Sequence, residues 1–257
     1  MKEKLKEFAK NYYSQWGEDG ILEEILKRLS ITDYSDIWVV EFGAWDGKHL
    51  SNTFNLIEKG ASAVLIEGDK NRFDDLLKTK NEFQNIIPIN SFVTATGEQS
   101  LNKMLDQTPI KQNYEILSID VDSYENLEIW KNYKGSPTIV VIEINSSFLP
   151  HEKNIKNELG NTFFETNKVG EQKGYKLVAH TPNMIFIKKD EVPKIYKYIS
   201  YNSYKLFNYG DFLRWRNISR IEIVKLLFSG AKYISFTPLF IKLLPQKIKI
   251  KIYNRFY

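Results

Sequence analysis

Apolar and polar positions along the chain fall into blocks whose period switches between that of a helix and that of a strand. Glu18 to Leu29 places Ile21, Leu22, Ile25 and Leu26 on one face and predicts an amphipathic helix. Val39, Val40 and Phe42 then read as a buried strand. Lys48 to Gly60 has helical spacing through Leu50, Phe54 and Ile57, with Gly60 ending it. A second strand, Ala63 to Ile66, ends in Glu67. The alternation continues with a helix over Lys70 to Lys80, a third strand over Asn85 to Ile89 and a short helix over Ser100 to Leu105. Tyr114 to Val121 reads as a fourth strand, Ser123 to Tyr133 as a helix and Thr138 to Ile144 as a fifth strand. That last strand is almost continuously apolar, as expected where helices cover both faces of a sheet. Thr162 to Lys173 is helical in pattern and closed by Gly174. Tyr175 to Ala179 and Met184 to Lys188 pair as a terminal hairpin around His180 to Asn183. The pattern predicts an α/β protein with a doubly wound, mostly parallel sheet and a C-terminal antiparallel hairpin.

Ligands of such sheets bind outside the carboxyl ends of the strands. This directs attention to Glu41 through Gly47, Glu67 and Gly68, Ser91 to Val93, Asp120 to Asp122, and Glu143 to Asn145. Gly43 and Gly47 bracket a turn where the backbone can approach a ligand, since neither has a Cβ. Glu67 lies about 20 residues beyond that turn, where a Rossmann-type unit grips a ribose diol. The turn lacks a third glycine and opens on Glu41, so it fits a dinucleotide fingerprint poorly. It fits better the acidic-x-Gly-x-x-x-Gly loop of class I S-adenosylmethionine (SAM) methyltransferases. Glu41, Gly43, Ala44, Asp46 and Gly47 would then face a ligand with a positive sulfonium and no phosphate. A glycine turn in another α/β protein is the alternative reading.

Five segments in order, SQWGEDGILEEIL, VVEFGAWDGKHLSNT, VLIEGDKNRFDDL, ILSIDVD and VVIEINSSFLP, resemble bacterial SAM-dependent methyltransferases related to the FkbM-like families. Members of those families are common in gene clusters for capsules and other surface glycans. The resemblance covers roughly residues 14–189. It implies a Rossmann-like class I SAM methyltransferase fold and O-methylation of a sugar, as a nucleotide-linked or lipid-linked precursor. It further implies that Gln15, Glu18 and Ser51 reach the methionine part of SAM. After the fifth strand the family runs on with a proline- and tyrosine-rich segment and a Gly-Ala-Ser turn. Here HEKNIKNELGNTFFETNKVGEQKGY stands instead, and the acceptor pocket departs with it.

The remaining strand ends carry candidate chemistry. Phe92 is placed to cover an adenine face, with Ser91 at the ring's polar edge; plain core is the alternative for Phe92. Asp120, Asp122, Glu143 and Asn145 alternate around two neighbouring strand ends and offer only oxygen ligands of the kind hard cations take. Asp120, Glu143 and Asn145 therefore form a candidate Mg²⁺ or Mn²⁺ site, and an acceptor pocket lined by the same groups without metal is the alternative. Of the histidines His49, His151 and His180, His151 is the preferred base if no metal serves. His180 is a second candidate for the cleft, and His49 is the weakest.

Composition adds limits. The 257 residues contain no cysteine, which removes disulfides, thiolate nucleophiles and cysteine-ligated zinc. The start has no apolar core long enough for a signal peptide, and no uncharged apolar run reaches the length of a membrane span. A cytoplasmic location is expected. Charge divides the chain into a body, residues 1–212, and a tail, residues 213–257. From Arg214 onward ten Lys and Arg stand against Glu222 alone, although the whole chain carries only +4. Aromatic residues interleave those cations without any nucleic-acid motif. Peripheral contact with the anionic inner face of a membrane and a self-association arm are both open for it.

Overall fold

The computed structural model describes residues 4–121, 125–153, 160–196 and 203–208. Seven strands form one sheet: β1 (Trp38–Phe42), β2 (Ser62–Glu67), β3 (Ile86–Asn90), β4 (Ile116–Ile119), β5 (Ile139–Glu143), β6 (Tyr175–His180) and β7 (Asn183–Lys188). Their spatial order is β3-β2-β1-β4-β5-β7-β6. The first five run parallel, and β7 lies antiparallel between β5 and β6. The described helices are α1 (Glu18–Arg28), α2 (Phe54–Glu58), α3 (Lys70–Glu82), α4 (Leu101–Leu105), α5 (Glu125–Asn132), α6 (Phe163–Gln172) and α7 (Val192–Ile195).

Both sheet faces are covered, which explains the lack of polar alternation in the strands. Val40, Phe42, Leu117 and Ile142 pack with Trp130, Phe163 and Phe186 on one side. Val39, Leu65, Val141 and Ile185 pack with Ile21, Leu22 and Ile25 of α1 on the other. Side chains two apart share a face, so neighbouring apolar residues supply the two cores in turn. Strand order reverses between β1 and β4, the place where this topology opens a ligand crevice.

The helix expected over residues 48–60 is the main local correction. Only Phe54 to Glu58 is helical, and residues 43–53 form a loop with Trp45 (φ 46°) and Leu50 (φ 57°) in the left-handed region. The cause is the buried carboxylate of Glu41. It accepts hydrogen bonds from Ser51 Oγ and Thr53 Oγ1 (2.6 Å each), the Asn52 N–H (3.0 Å) and Ser118 Oγ (3.2 Å). Ser51 Oγ in turn accepts the N–H groups of Thr53 and Phe54, which opens the helix there. Satisfying a buried charge outweighs continuing a surface helix. The remaining elements agree with the sequence pattern to within a few residues. Asp122 and the basic aromatic tail lie outside the described residues.

Candidate active site

A cavity of about 940 Å³ opens at the carboxyl ends of β1 to β5. That is at the large end of small-molecule sites, about 300–1,000 Å³, and leaves room for two ligands side by side. The half beneath β2 and β3 is lined by Gly43 to Trp45, Glu67 to Asp69, Arg72 and Ser91 to Thr94. Glu67, 5% exposed, is fixed by the Trp45 N–H on Oε2 (2.8 Å) and the Asp69 N–H on Oε1 (2.7 Å). Each oxygen keeps a second lone pair, which suits it to receive a diol. Phe92 stands 68% exposed over the same region. A Cβ on Gly68 would meet the Phe92 ring at 2.3 Å, so glycine is what lets the aromatic face close over the strand end. A Cβ on Gly43 (φ 79°) would meet the Asp120 carbonyl at 1.9 Å; β1 can turn across β4 there only without a side chain. Trp45 holds a strained left-handed backbone at the cavity edge, with the Arg72 guanidinium 4.4 Å over its ring.

The half at β4, β5 and β7 is acidic. The register Ile119↔Ile142 sets Asp120 beside Glu143, and Glu143↔Asn183 sets Asn183 on the other side. Asp120 and Glu143 are hydrogen-bonded to each other. Burial raises the Asp120 carboxyl well above the usual carboxylate range, and Glu143, Glu41 and Glu18 push it in the same direction. A carboxyl so placed takes up a proton more readily than an exposed one. Asn52 donates to Asp120 Oδ2 (3.0 Å) and Ser118 Oγ (3.2 Å), and accepts from Asn183 Nδ2 (3.4 Å). Asn126 and Asn183, 1% and 6% exposed, border the cavity, and their Oδ1 atoms are buried without a protein partner.

No protein-family profile and no curated protein sequence matches the chain. Solved structures with a similar course include TrmK of M. capricolum in complex with S-adenosyl-homocysteine (SAH), 13% identical over 90% of this chain and 92% of that one, TM-score 0.45. A putative caffeoyl-CoA O-methyltransferase from Staphylococcus aureus is 12% identical over 65% and 83%, TM-score 0.44. A SAM-dependent methyltransferase from Aquifex aeolicus is 13% identical over 64% and 86%, TM-score 0.41. The antiparallel seventh strand set between β5 and β6 decides the architecture. The fold is Rossmann-like, a mostly parallel seven-stranded sheet with an antiparallel C-terminal pair.

Within that fold, the residues expected at the site divide. Gln15, Glu41, Gly43, Ala44, Ser51, Glu67, Gly68, Ser91, Phe92, Asp120 and Glu143 line the cavity. Glu41 and Ser51 do so as the pinned node described above, their polar atoms spent on holding the loop. Glu18 does not line it. Its carboxylate accepts from Thr181 Oγ1, Asn183 Nδ2 (3.1 Å) and the Trp16 N–H (2.8 Å), tying α1 to the β6–β7 turn. Asp46 caps its own turn through the N–H groups of Lys48 and His49. Gly47 sits against Leu76 and Leu65, away from the cavity.

The metal trio is not assembled. Asn145 Oδ1 accepts from the N–H and Oγ of Ser147, which turns it into its own loop. Among the described residues no group of three or more His, Asp and Glu is arranged to hold an ion. Asn145 Oδ1 is taken up by Ser147, so the expected trio lacks its amide ligand. The histidine ranking is reversed as well. His151 is exposed on a turn outside the cavity. His180 is buried, stacked on Phe207 at 5.1 Å, with its pKa lowered by burial to about 3. His49, ranked last, lines the cavity edge-on to Trp45. Trp45 stood in the glycine turn and was legible as an exposed aromatic beside a ligand loop. Asn52, Asn126 and Asn183 carried no local signal, since only the sheet brings them to Asp120.

Proposed function

We propose that this protein is a SAM-dependent O-methyltransferase whose acceptor is a sugar hydroxyl in bacterial surface-glycan synthesis. The observation that carries the reading is the division of one cavity into a diol-and-aromatic half and a proton-accepting half. The ordered sequence motifs resembling FkbM-related enzymes supply the glycan context.

Glu67 would hold the ribose hydroxyls, Phe92 the adenine face, and the Gly43–Trp45 backbone the amino-acid part. Bound there, SAM supplies an electrophilic methyl group on a sulfonium. The chain's own work is positioning and deprotonation. The Asp120–Glu143 pair accepts the hydroxyl proton, and Asn52 orients Asp120. Phosphoryl acceptors are disfavoured. Of the cations near the strand ends, Lys48 pairs with Glu82, and Lys153 lies 4.6 Å over the Phe164 ring; neither lines the cavity. Arg72 lines it from the ribose half, against Trp45.

Glu67→Ala is expected to weaken SAH binding about 10- to 100-fold, the cost of losing hydrogen bonds to a charged acceptor. Calorimetry on the full chain measures it. Unchanged affinity, or no SAM or SAH binding by the unmodified protein at millimolar ligand, would show that the cavity has another occupant.

A further inference from the structure

Among the described residues other than glycine, Ser30 (φ 63°), Trp45 (φ 46°) and Leu50 (φ 57°) hold a left-handed backbone. Ser30 closes α1, where the Ser30 and Ile31 N–H groups donate to the carbonyls of Lys27 and Leu26, an ordinary helix ending. Trp45 and Leu50 line the cavity instead. Both present exposed side chains there, Trp45 at 38% and Leu50 at 40%. Leu50 leads directly into Ser51, Asn52 and Thr53, which Glu41 holds in place, so the buried carboxylate accounts for its conformation. Trp45 lies outside that node. A bulky side chain is costly in this region, and such strain persists where a ligand contact needs it.

Trp45 belongs to a closed circuit of contacts around the carboxylate that would take the ribose diol. Its N–H donates to Glu67 Oε2 (2.8 Å), and the Asp69 N–H donates to Glu67 Oε1 (2.7 Å). The Arg72 N–H donates to Asp69 Oδ1 (3.0 Å), and the Arg72 guanidinium returns to lie 4.4 Å over the indole. His49 meets the same indole edge-on at 5.0 Å. The indole is therefore braced beside Glu67 while keeping free surface at the cavity. A carboxylate can hold the hydroxyls of a sugar but not its C–H face, and a fixed aromatic surface supplies what is missing.

We propose that Trp45 is a specificity-determining residue: its indole walls the ribose of the adenosyl ligand while Glu67 takes the hydroxyls, and the strained backbone is kept because it sets the ring there. This rests on the methyltransferase reading and adds to it a residue that selects the nucleoside.

The test uses the full-length protein, with SAH and adenosine as probes, and the variants Trp45→Gly, Trp45→Ala and Trp45→Phe. Gly and Ala both remove the ring, but only glycine is at ease in the left-handed region. Urea unfolding without ligand should therefore give Trp45→Gly a higher midpoint than Trp45→Ala, the reverse of the order at a position any residue can adopt. Calorimetry is expected to show both truncations weakening SAH and adenosine by at least about 10-fold, the scale of one lost aromatic contact, with Trp45→Phe within about 3-fold of the unmodified protein. A ring serving only to pack the loop would change stability and leave these affinities alone. SAH affinity within about 3-fold in both truncated variants, or a loss seen for SAH but not for adenosine, overturns the ribose wall and leaves the SAH-binding protein standing. A higher midpoint for Trp45→Ala than for Trp45→Gly overturns the strain. Failure of the unmodified protein to bind SAH overturns the underlying reading instead.

Discussion

Glu143→Gln and Asp120→Asn are each expected to lower kcat by about 10²–10⁴-fold, the usual contribution of a positioned general base, while SAH affinity changes by no more than about 3-fold. The asymmetry follows from the cavity's division: Glu67, Gly68 and Phe92 stand at the ends of β2 and β3 or just beyond them, whereas the carboxyl pair stands at the ends of β4 and β5. Gln at 143 keeps a similar shape and a hydrogen bond to Asp120 but cannot take a proton from an acceptor. The pH profile supplies an independent readout. Asp120 is raised well above the ordinary carboxylate range by burial and by its acidic neighbours, so the pair gains basicity as pH rises. The ascending limb of kcat/KM should therefore lie above the pH at which exposed carboxylates titrate, and Glu143→Gln should displace it. Labelled methyl transfer measures both quantities. Near-full turnover in both variants would remove the pair from the chemistry. Loss of turnover after exhaustive EDTA treatment would restore the divalent cation that the geometry of Asn145 argues against.

Much of this architecture was legible because the strands are buried on both faces and therefore read as apolar runs. The glycine turn and Glu67 were legible because each obeys a local rule, a backbone that must pass without a Cβ and a carboxylate at a strand end. What sequence could not show was which polar groups spend their bonding capacity on the protein itself. Glu18, Glu41, Asp46 and Asn145 have the same chemistry as Glu67 and Asp120. The structure shows the first four accepting hydrogen bonds from Thr181, Ser51, Lys48 and Ser147 and their neighbours. The same limit explains the histidines. Position after a strand end suggested His180 for the cleft, but Phe163 and Phe207 enclose it, contacts made across about 17 and 27 residues of chain.

His180 gives the chain a specific weakness in acid. The Asn208 N–H donates to Nδ1 at 2.8 Å, which places the ring proton on Nε2, a buried atom without a partner. Protonation would remove that acceptor and bury a charge between Phe163 and Phe207, and burial accordingly lowers the pKa from 6.5 to about 3. The folded state thus resists a proton that the unfolded chain takes up. Its contribution to stability is fully present above pH 6.5 and is lost as pH falls towards 3. At about 1.4 kcal/mol per pH unit the full loss approaches roughly 5 kcal/mol, a large share of a typical domain's stability. Asp120 acts in the opposite sense: its raised pKa contributes stability at low pH that is lost as pH rises through the folded value, which partly masks His180 in the unmodified protein. The comparison that isolates the histidine is His180→Phe. That ring fits among the same aromatics but takes away the imidazole acceptor of the Asn208 N–H at every pH, a constant cost of about 1–3 kcal/mol. Urea unfolding between pH 7.5 and 4.5 should show the unmodified protein losing stability more steeply than the variant, with the two curves converging or crossing in acid. Curves that stay parallel across that range would mean that His180 is already charged in the fold or is solvated there, and the acid sensitivity would have to be sought among the carboxylates.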